Sequence, residues 1–229
     1  MDLIATAYHE AGHVVVGWIA GRRAKSVGVY PDGLDDLDGE WETIGRATFL
    51  PRYGRPRRDE VSIKIAIAFE LAISLAGPVA ERRILCPSRP GKLTPAMLSV
   101  ELEEYKSKSY STNRNNPSDV SFVLHTILAK THDWQSLGKI YRVLERNLNR
   151  FVAQPAIWSR IKTVADHLIE RQSLEGFQID SLLKPFETRG DILLNYRLYK
   201  LTDLTPLIHG HTQLRLRRIA SSNGVRADE

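Results

Sequence analysis

Residues 6–13 read TAYHEAGH, a stretch that contains the pattern HExxH. It lies among helix formers and apolar residues that end before Gly21, so we predict a helix over residues 2–20. On a helix, the four-residue spacing places His9 and His13 on one face, where both imidazoles reach a single ion. The apolar residues that follow predict that this helix is buried, and buried histidines need a partner such as a metal.

This pattern fits the chemistry of a catalytic zinc ion. Two histidines and one carboxylate leave a position on zinc for water, whose pKa the metal lowers. Glu10 directly follows the first histidine, so its carboxylate projects beside the ion and is placed to act as the base. The third ligand must come from elsewhere in the chain. Spacing alone does not choose among the carboxylates Glu70, Glu81 and Asp119.

The rest of the chain predicts a mainly helical α+β fold with a small β-sheet. Short β-favouring runs at 25–30 and 43–50 predict two antiparallel strands. A long apolar helix is expected over 59–85, and residues 190–201 are either helical or extended. Further helices are predicted at 118–131, 136–152, 155–171 and 174–184.

These elements predict one main domain followed by an extension. Residues 86–116 contain a Pro- and Gly-rich break and a polar run, which indicate an insertion in that domain. Residues 185–229 form a C-terminal extension of unknown role, and its last residues, 220–229, have the composition of a frayed tail.

Composition limits where in the cell the protein is expected and which partners it is expected to bind. The 229 residues suffice for one sizeable core, and the longest apolar stretch, 65–80, is shorter than the roughly 20 residues of a bilayer span. We therefore expect a buried helix and no transmembrane segment.

The single cysteine, Cys86, and an N-terminus unlike a signal peptide predict a cytoplasmic protein. The net charge of +5 is modest, so nucleic acid is not an expected partner.

Four short motifs occur in an informative order: TAYHEAGH at 6–13, FLP at 49–51, LAGPVAER at 75–82 and SDV at 118–120. Together they resemble the peptidase domain of the FtsH-type ATP-dependent zinc metalloproteases. The resemblance covers about residues 1–184, apart from the insertion, and so places the end of a metallopeptidase-like domain at about residue 184. It implies a zincin-like fold and hydrolysis of peptide bonds with zinc as the cofactor.

Carried over position by position, the resemblance implies that His9, His13 and Asp119 are zinc ligands and that Glu10 is the catalytic base. The chain departs from the family where Pro78 and Arg82 replace an arginine and a glutamate in the segment around LAGPVAER. That departure, with the insertion before Asp119, keeps Glu81 as the alternative third ligand.

The family also carries an ATPase module, whereas this chain contains no GxxxxGK[ST] loop, so we expect no ATP hydrolysis by the chain itself. The expected substrates are unfolded or flexible polypeptides. A separate ATPase or further copies of the chain are the other partners considered.

Two functions other than peptide hydrolysis are compatible with parts of the sequence. A protease-like module that binds peptide or protein without cleaving it is the main alternative, and a basic nucleic-acid adaptor is the third. The strand ending at residues 49–51 is a candidate edge for an extended peptide. The acidic run 32–38 lacks the calcium-loop spacing, and His209 and His211 stay outside the predicted site.

Overall fold

The computed structural model describes residues 3–30, 45–50, 60–86, 119–131, 134–186 and 190–203, together with Val100 and Glu103. The described residues contain seven α-helices: α1 (Leu3–Ile19), α2 (Glu60–Leu85), α3 (Asp119–Thr131), α4 (Trp134–Val152), α5 (Pro155–Arg171), α6 (Gly176–Leu183) and α7 (Gly190–Thr202). Three strands accompany them: β1 (Ala24–Val29), β2 (Gly45–Phe49) and β3 (Ser173–Glu175).

The prediction of a mainly helical α+β fold with a small antiparallel sheet is confirmed. The first helix, the long apolar helix and the helices of the second half occur within one or two residues of the predicted bounds. Residues 190–201, for which two conformations were considered, are helical. Of the predicted insertion at 86–116, only Cys86, Val100 and Glu103 belong to the described residues.

The sheet has the strand order β2-β1-β3, and both pairings are antiparallel. Its third strand corrects one prediction, because the helix expected over 174–184 begins only at Gly176. Residues 173–175 pair with β1 instead, where Val27 lies opposite Leu174. Glu175 then starts α6 through a capping box with Gln178, which gives the chain a sharp change from strand to helix.

Helix α1 lies at the centre of the core, with α2, α5 and the sheet around it. Thirteen of its 17 residues are buried, as expected for a helix that is apolar on nearly every side. Helices α1 and α2 run antiparallel and approach closely at Gly12. A Cβ atom at Gly12 would lie 2.5 Å from the Ala76 carbonyl oxygen, so only glycine permits this approach.

Helix α7 packs against α2, α4 and α1. Leu198 and Thr202 are fully buried in this contact. The Asn195 side-chain amide donates to the carbonyl oxygen of Ile19 at 2.9 Å, which satisfies one of the backbone acceptors left at the end of α1. Part of the predicted C-terminal extension is therefore joined to the helix that carries the HExxH pattern.

One described segment, Ser62–Leu85, is long and apolar enough to cross a bilayer by length and composition alone. However, 61% of its apolar window is buried inside the protein, as in a core helix. The absence of a transmembrane segment stays a prediction.

Candidate metal centre

Two histidines of α1 and the first residue of α3 converge on one point. His9 Nε2 lies 3.1 Å from Asp119 Oδ2, and His13 Nε2 lies 3.0 Å from the same oxygen. The i, i+4 spacing directs both imidazoles from one face of α1. Asp119 reaches His9 from 110 positions along the chain because α3 packs against α2 beside it.

These three side chains form a compact set of donor atoms. Their ligand atoms all lie within 4.8 Å of one another, and the described part of the chain contains no second group of this kind. His13 is 7% exposed, while His9 and Asp119 are half-buried, so solvent reaches the set only in part. Two imidazoles and a carboxylate are a donor set that catalytic zinc uses, with a further position left for water or substrate.

The nitrogen atoms that face away from Asp119 are also engaged, both by groups of α2. His9 Nδ1 lies 2.7 Å from Glu81 Oε2, and His13 Nδ1 lies 2.7 Å from the carbonyl oxygen of Ile73. An ionised carboxylate and a carbonyl only accept hydrogen bonds, so Nδ1 carries the hydrogen in both rings. In the neutral imidazole this tautomer leaves the Nε2 lone pair free for a metal, which is how outer partners orient histidine ligands.

Two lone pairs and a carboxylate oxygen at this separation need a positive charge between them, and the pKa values reflect this. Burial alone lowers the pKa of His9, but hydrogen bonds with Asp119 and Glu81 outweigh burial and raise this pKa to about 10. The pKa of His13 is also raised, since the charge and hydrogen bond of Asp119 outweigh burial. Burial raises the pKa of Asp119, yet both histidines together lower it well below its ordinary value. The donor set therefore fits a cation that replaces the protons at Nε2.

Glu10 lies beside the donor set and is not part of it. Its side chain is buried, with 6% exposed, and its carboxylate accepts a hydrogen bond from the backbone N–H of Ala47 in β2. Burial raises the pKa of Glu10 above its ordinary value, although the charges of His13 and His9 oppose this. A raised pKa brings a carboxylate nearer to the range in which it works as a general base.

Strand β2 places a sheet edge next to Glu10. The strand pairs with β1 on one side, and no strand covers its other side among the residues the structure describes. Ala47 directs its N–H to Glu10 and hence away from β1. Backbone groups alternate in direction along a strand, so those of Gly45 and Phe49 face the same side as the N–H of Ala47. An extended chain could pair with this edge only in immediate contact with the Glu10 carboxylate.

The three carboxylates considered for the third ligand lie in different places. Asp119 is at the Nε2 side of both histidines, and Glu81 is at the Nδ1 side of His9. Glu70 instead lies 3.5 Å from Arg22 Nη1, close to the other end of α1. The geometry thus brings together all four residues that the resemblance assigned to the site, with Glu81 as an orienting partner.

Two contributors to the site were missed by the sequence because they are backbone groups. The Ile73 carbonyl holds His13, and the Ala47 N–H holds Glu10, and neither has a residue-type signature. The helical period of α2 contains a signal for the Ile73 carbonyl. Ile73 lies two helical turns before Glu81, so a search of α2 for the face that carries Glu81 would have found it.

Several residues considered in the sequence lie outside the described residues, so nothing is assigned to them. They are Asp32, Asp35, Asp36, Asp38, Pro51, His209 and His211. Among the described histidines outside the site, His167 donates from Nδ1 to the Thr163 carbonyl of its own helix, and His125 is exposed on α3.

A comparison of the chain with protein-family models found no match, and neither did a comparison with curated proteins. The likeness to the FtsH-type peptidase domain therefore rests on the motifs of the chain itself.

Proposed function

We propose that this chain is a zinc-dependent endopeptidase with a zincin-like fold, similar to the FtsH-type peptidase domain. The observation that carries the proposal is the convergence of His9 Nε2, His13 Nε2 and Asp119 Oδ2, with Glu10 buried beside them. His9, His13 and Asp119 would hold the ion, and Glu81 and the Ile73 carbonyl would fix the two imidazoles.

In the proposed peptide hydrolysis, the ion and the side chains have different tasks. When bound, zinc supplies a Lewis acid that polarises a peptide carbonyl and lowers the pKa of water. Glu10 takes the proton of the attacking water and returns it to the nitrogen of the departing amine, so proton transfer needs one carboxylate only. The Ala47 N–H holds this carboxylate at the edge of β2, close to where a polypeptide would lie.

The expected substrate is an unfolded or flexible polypeptide. Within the described residues β2 is an edge strand, and pairing with it requires an extended backbone, which a folded protein rarely presents. Such pairing uses main-chain hydrogen bonds, so it makes small demands on substrate sequence. We therefore expect cleavage of many unrelated flexible chains and slow cleavage of folded ones.

The proposal is tested by zinc analysis together with cleavage of casein, a substrate with little fixed structure. Native protein is compared with Glu10→Gln and with Glu170→Gln, the same change at an exposed position of α5. We expect zinc near one ion per chain in all three proteins. Cleavage falls by roughly 10²- to 10⁴-fold in Glu10→Gln, the usual contribution of a general base, and is unchanged in Glu170→Gln.

The other outcomes separate the competing functions. Zinc in every protein but no cleavage by the native chain would favour a module that binds polypeptide without hydrolysing it. Equal cleavage by native protein and Glu10→Gln would contradict the role of Glu10. Absence of zinc from the native chain after loading would contradict the metal centre as a whole.

A further inference from the structure

Gly77 faces the two imidazoles from the middle of α2. A Cβ atom at this position would lie against His13 Nε2 and 2.7 Å from both His13 Cε1 and His9 Cδ2. Real Cβ atoms essentially never come closer than 3.0 Å to another heavy atom. An alanine at position 77 would therefore have to displace one or both rings, including the edge that carries the metal-binding nitrogen.

The rings have little freedom to move aside. Ile73 and Glu81, one turn before and one turn after Gly77, hold the opposite nitrogen of each ring at 2.7 Å. Residues 73, 77 and 81 share one face of α2, so the imidazoles lie along this face between two fixed contacts. A ring that moves away from a methyl group must lengthen one of these bonds or turn Nε2 away from Asp119.

Helix propensity alone does not explain the glycine. Position 77 lies inside a 26-residue helix, where glycine usually costs stability relative to alanine, although Pro78 follows directly and disfavours a Cβ on the helical residue before it. The contact with the imidazoles is a separate demand, because it acts on the two rings and not on the helix backbone. A glycine kept only for the helix and a glycine kept for the site therefore differ in whether its substitution changes zinc affinity.

We propose that Gly77 is a positioning residue of the metal centre, whose missing side chain leaves the space in which His9 and His13 present Nε2 to a divalent cation. The proposal rests on the metal centre proposed above and extends it to a residue that binds no metal. It separates the role of α2 in orienting the metal ligands from its role in packing the core.

The same helix-and-strand framework supplies matched controls. A Cβ at Gly45 would lie 2.7 Å from Glu10 Oε1 and 2.7 Å from Thr6 Cγ2, so it meets the proposed base and leaves the ligands untouched. Gly17 lies in α1 one turn after His13, and a Cβ there would lie 2.5 Å from the Phe49 ring with no metal ligand among its nearest atoms. All three substitutions add one methyl group in a crowded place.

The experiment measures zinc affinity of the full chain by competition with a chromophoric chelator, for native protein, Gly77→Ala, Gly45→Ala and Gly17→Ala. We expect Gly77→Ala to lose about 10- to 100-fold in zinc affinity, the range found when groups that orient metal ligands are changed. Gly45→Ala and Gly17→Ala keep the native affinity. Without metal we expect Gly77→Ala to melt below native protein, because the displaced rings lose hydrogen bonds. Gly17→Ala, which crowds the Phe49 ring, then controls for an effect of lost stability on zinc affinity.

Native zinc affinity in Gly77→Ala would overturn the proposal while leaving the metal centre intact. Failure of the native chain to bind zinc would instead overturn the metal centre itself. If Gly77→Ala does not fold, the triple variant His9→Ala/His13→Ala/Gly77→Ala decides, since both rings lie closer than 3.0 Å to the added methyl. Recovery of folding supports the contact with the rings, and failure to recover contradicts it.

Discussion

The side of α1 that faces α2 and α3 carries His9 and His13, whereas the side that faces α5 carries aromatic packing. There, the Tyr8 ring stacks on Trp158 with ring centroids 5.4 Å apart. On the first side, buried polar groups converge within hydrogen-bonding distance of one carboxylate. Adjacent residues 8 and 9 thus belong to two environments with opposite requirements.

The difference shows how one helix both holds a fold and presents a site. Burial of an aromatic ring is favourable by itself, so the α5 side stabilises the position of α1 without any ligand. Buried histidines and a carboxylate cost free energy unless charge is balanced between them. The comparison predicts that changes on the first side alter metal binding and changes on the α5 side alter stability.

Asp119→Ala should give the largest effect, because it removes one of the three donor atoms. We expect zinc affinity to fall by more than about 100-fold, beyond the range for residues that only orient ligands. Chelator competition measures this, with Asp166→Ala, an exposed carboxylate on α5, as the control. Equal losses in both variants would mean that Asp119 is not a ligand.

Trp158→Ala tests the α5 side. It removes the stacking partner of Tyr8 and the ring beneath the Arg83 guanidinium, which lies 5.0 Å from the ring centroid. We expect the free energy of unfolding to fall by about 3 kcal/mol, the lower end for such truncations because the ring is only half-buried. Urea unfolding measures this loss. The folded variant should bind zinc with the affinity of native protein. A large change in zinc affinity would contradict the idea that the α5 side of α1 affects stability alone.

Glu81→Gln should give a smaller effect than Asp119→Ala. The amide keeps the size of the side chain but removes the charge that fixes the hydrogen at His9 Nδ1. We expect about a 10- to 100-fold loss of zinc affinity. Glu81→Gln and Asp119→Ala compared in one titration distinguish an orienting residue from a ligand. If Glu81→Gln proved the more damaging, Glu81 would be the third ligand instead.

The pH dependence gives the mildest test. His9 has its pKa raised from 6.5 to about 10 by Asp119 and Glu81, so its protonation stabilises the metal-free fold fully below pH 6.5. That contribution is lost as pH rises towards 10. The melting temperature of the metal-free chain should therefore decline over this interval, and His9→Ala should flatten the decline. Zinc affinity should rise over the same interval, by about tenfold per pH unit for each proton displaced.

The sequence predicted those helices correctly whose apolar residues repeat with a clear period. The HExxH helix and the long apolar helix were found because their apolar positions repeat with the helical period. The start of α6 was predicted too early, since residues 173–175 contain no period that reveals pairing with a strand well over a hundred positions away. A three-residue strand is fixed by tertiary contacts and capping, which a local pattern does not record.

The site residues also fall into those that a local motif predicts and those that only tertiary packing fixes. His9, Glu10 and His13 follow from one motif, because a helix fixes their relative directions. Spacing could not choose between Asp119 and Glu81, since only the packing of α3 on α2 decides which carboxylate lies at Nε2. The space beside Gly77 could not be predicted at all, because it depends on how closely α2 approaches two particular rings.

The central claim is that two imidazoles and one carboxylate hold a single zinc ion. Zinc-edge X-ray absorption on the zinc-loaded native chain and on Asp119→Ala tests it directly. We predict two imidazole nitrogens at about 2.0–2.1 Å and at least one oxygen at about 2.0–2.2 Å, with the carboxylate contribution altered in the variant. A spectrum without imidazole scattering, or one that is identical in Asp119→Ala, would contradict the account.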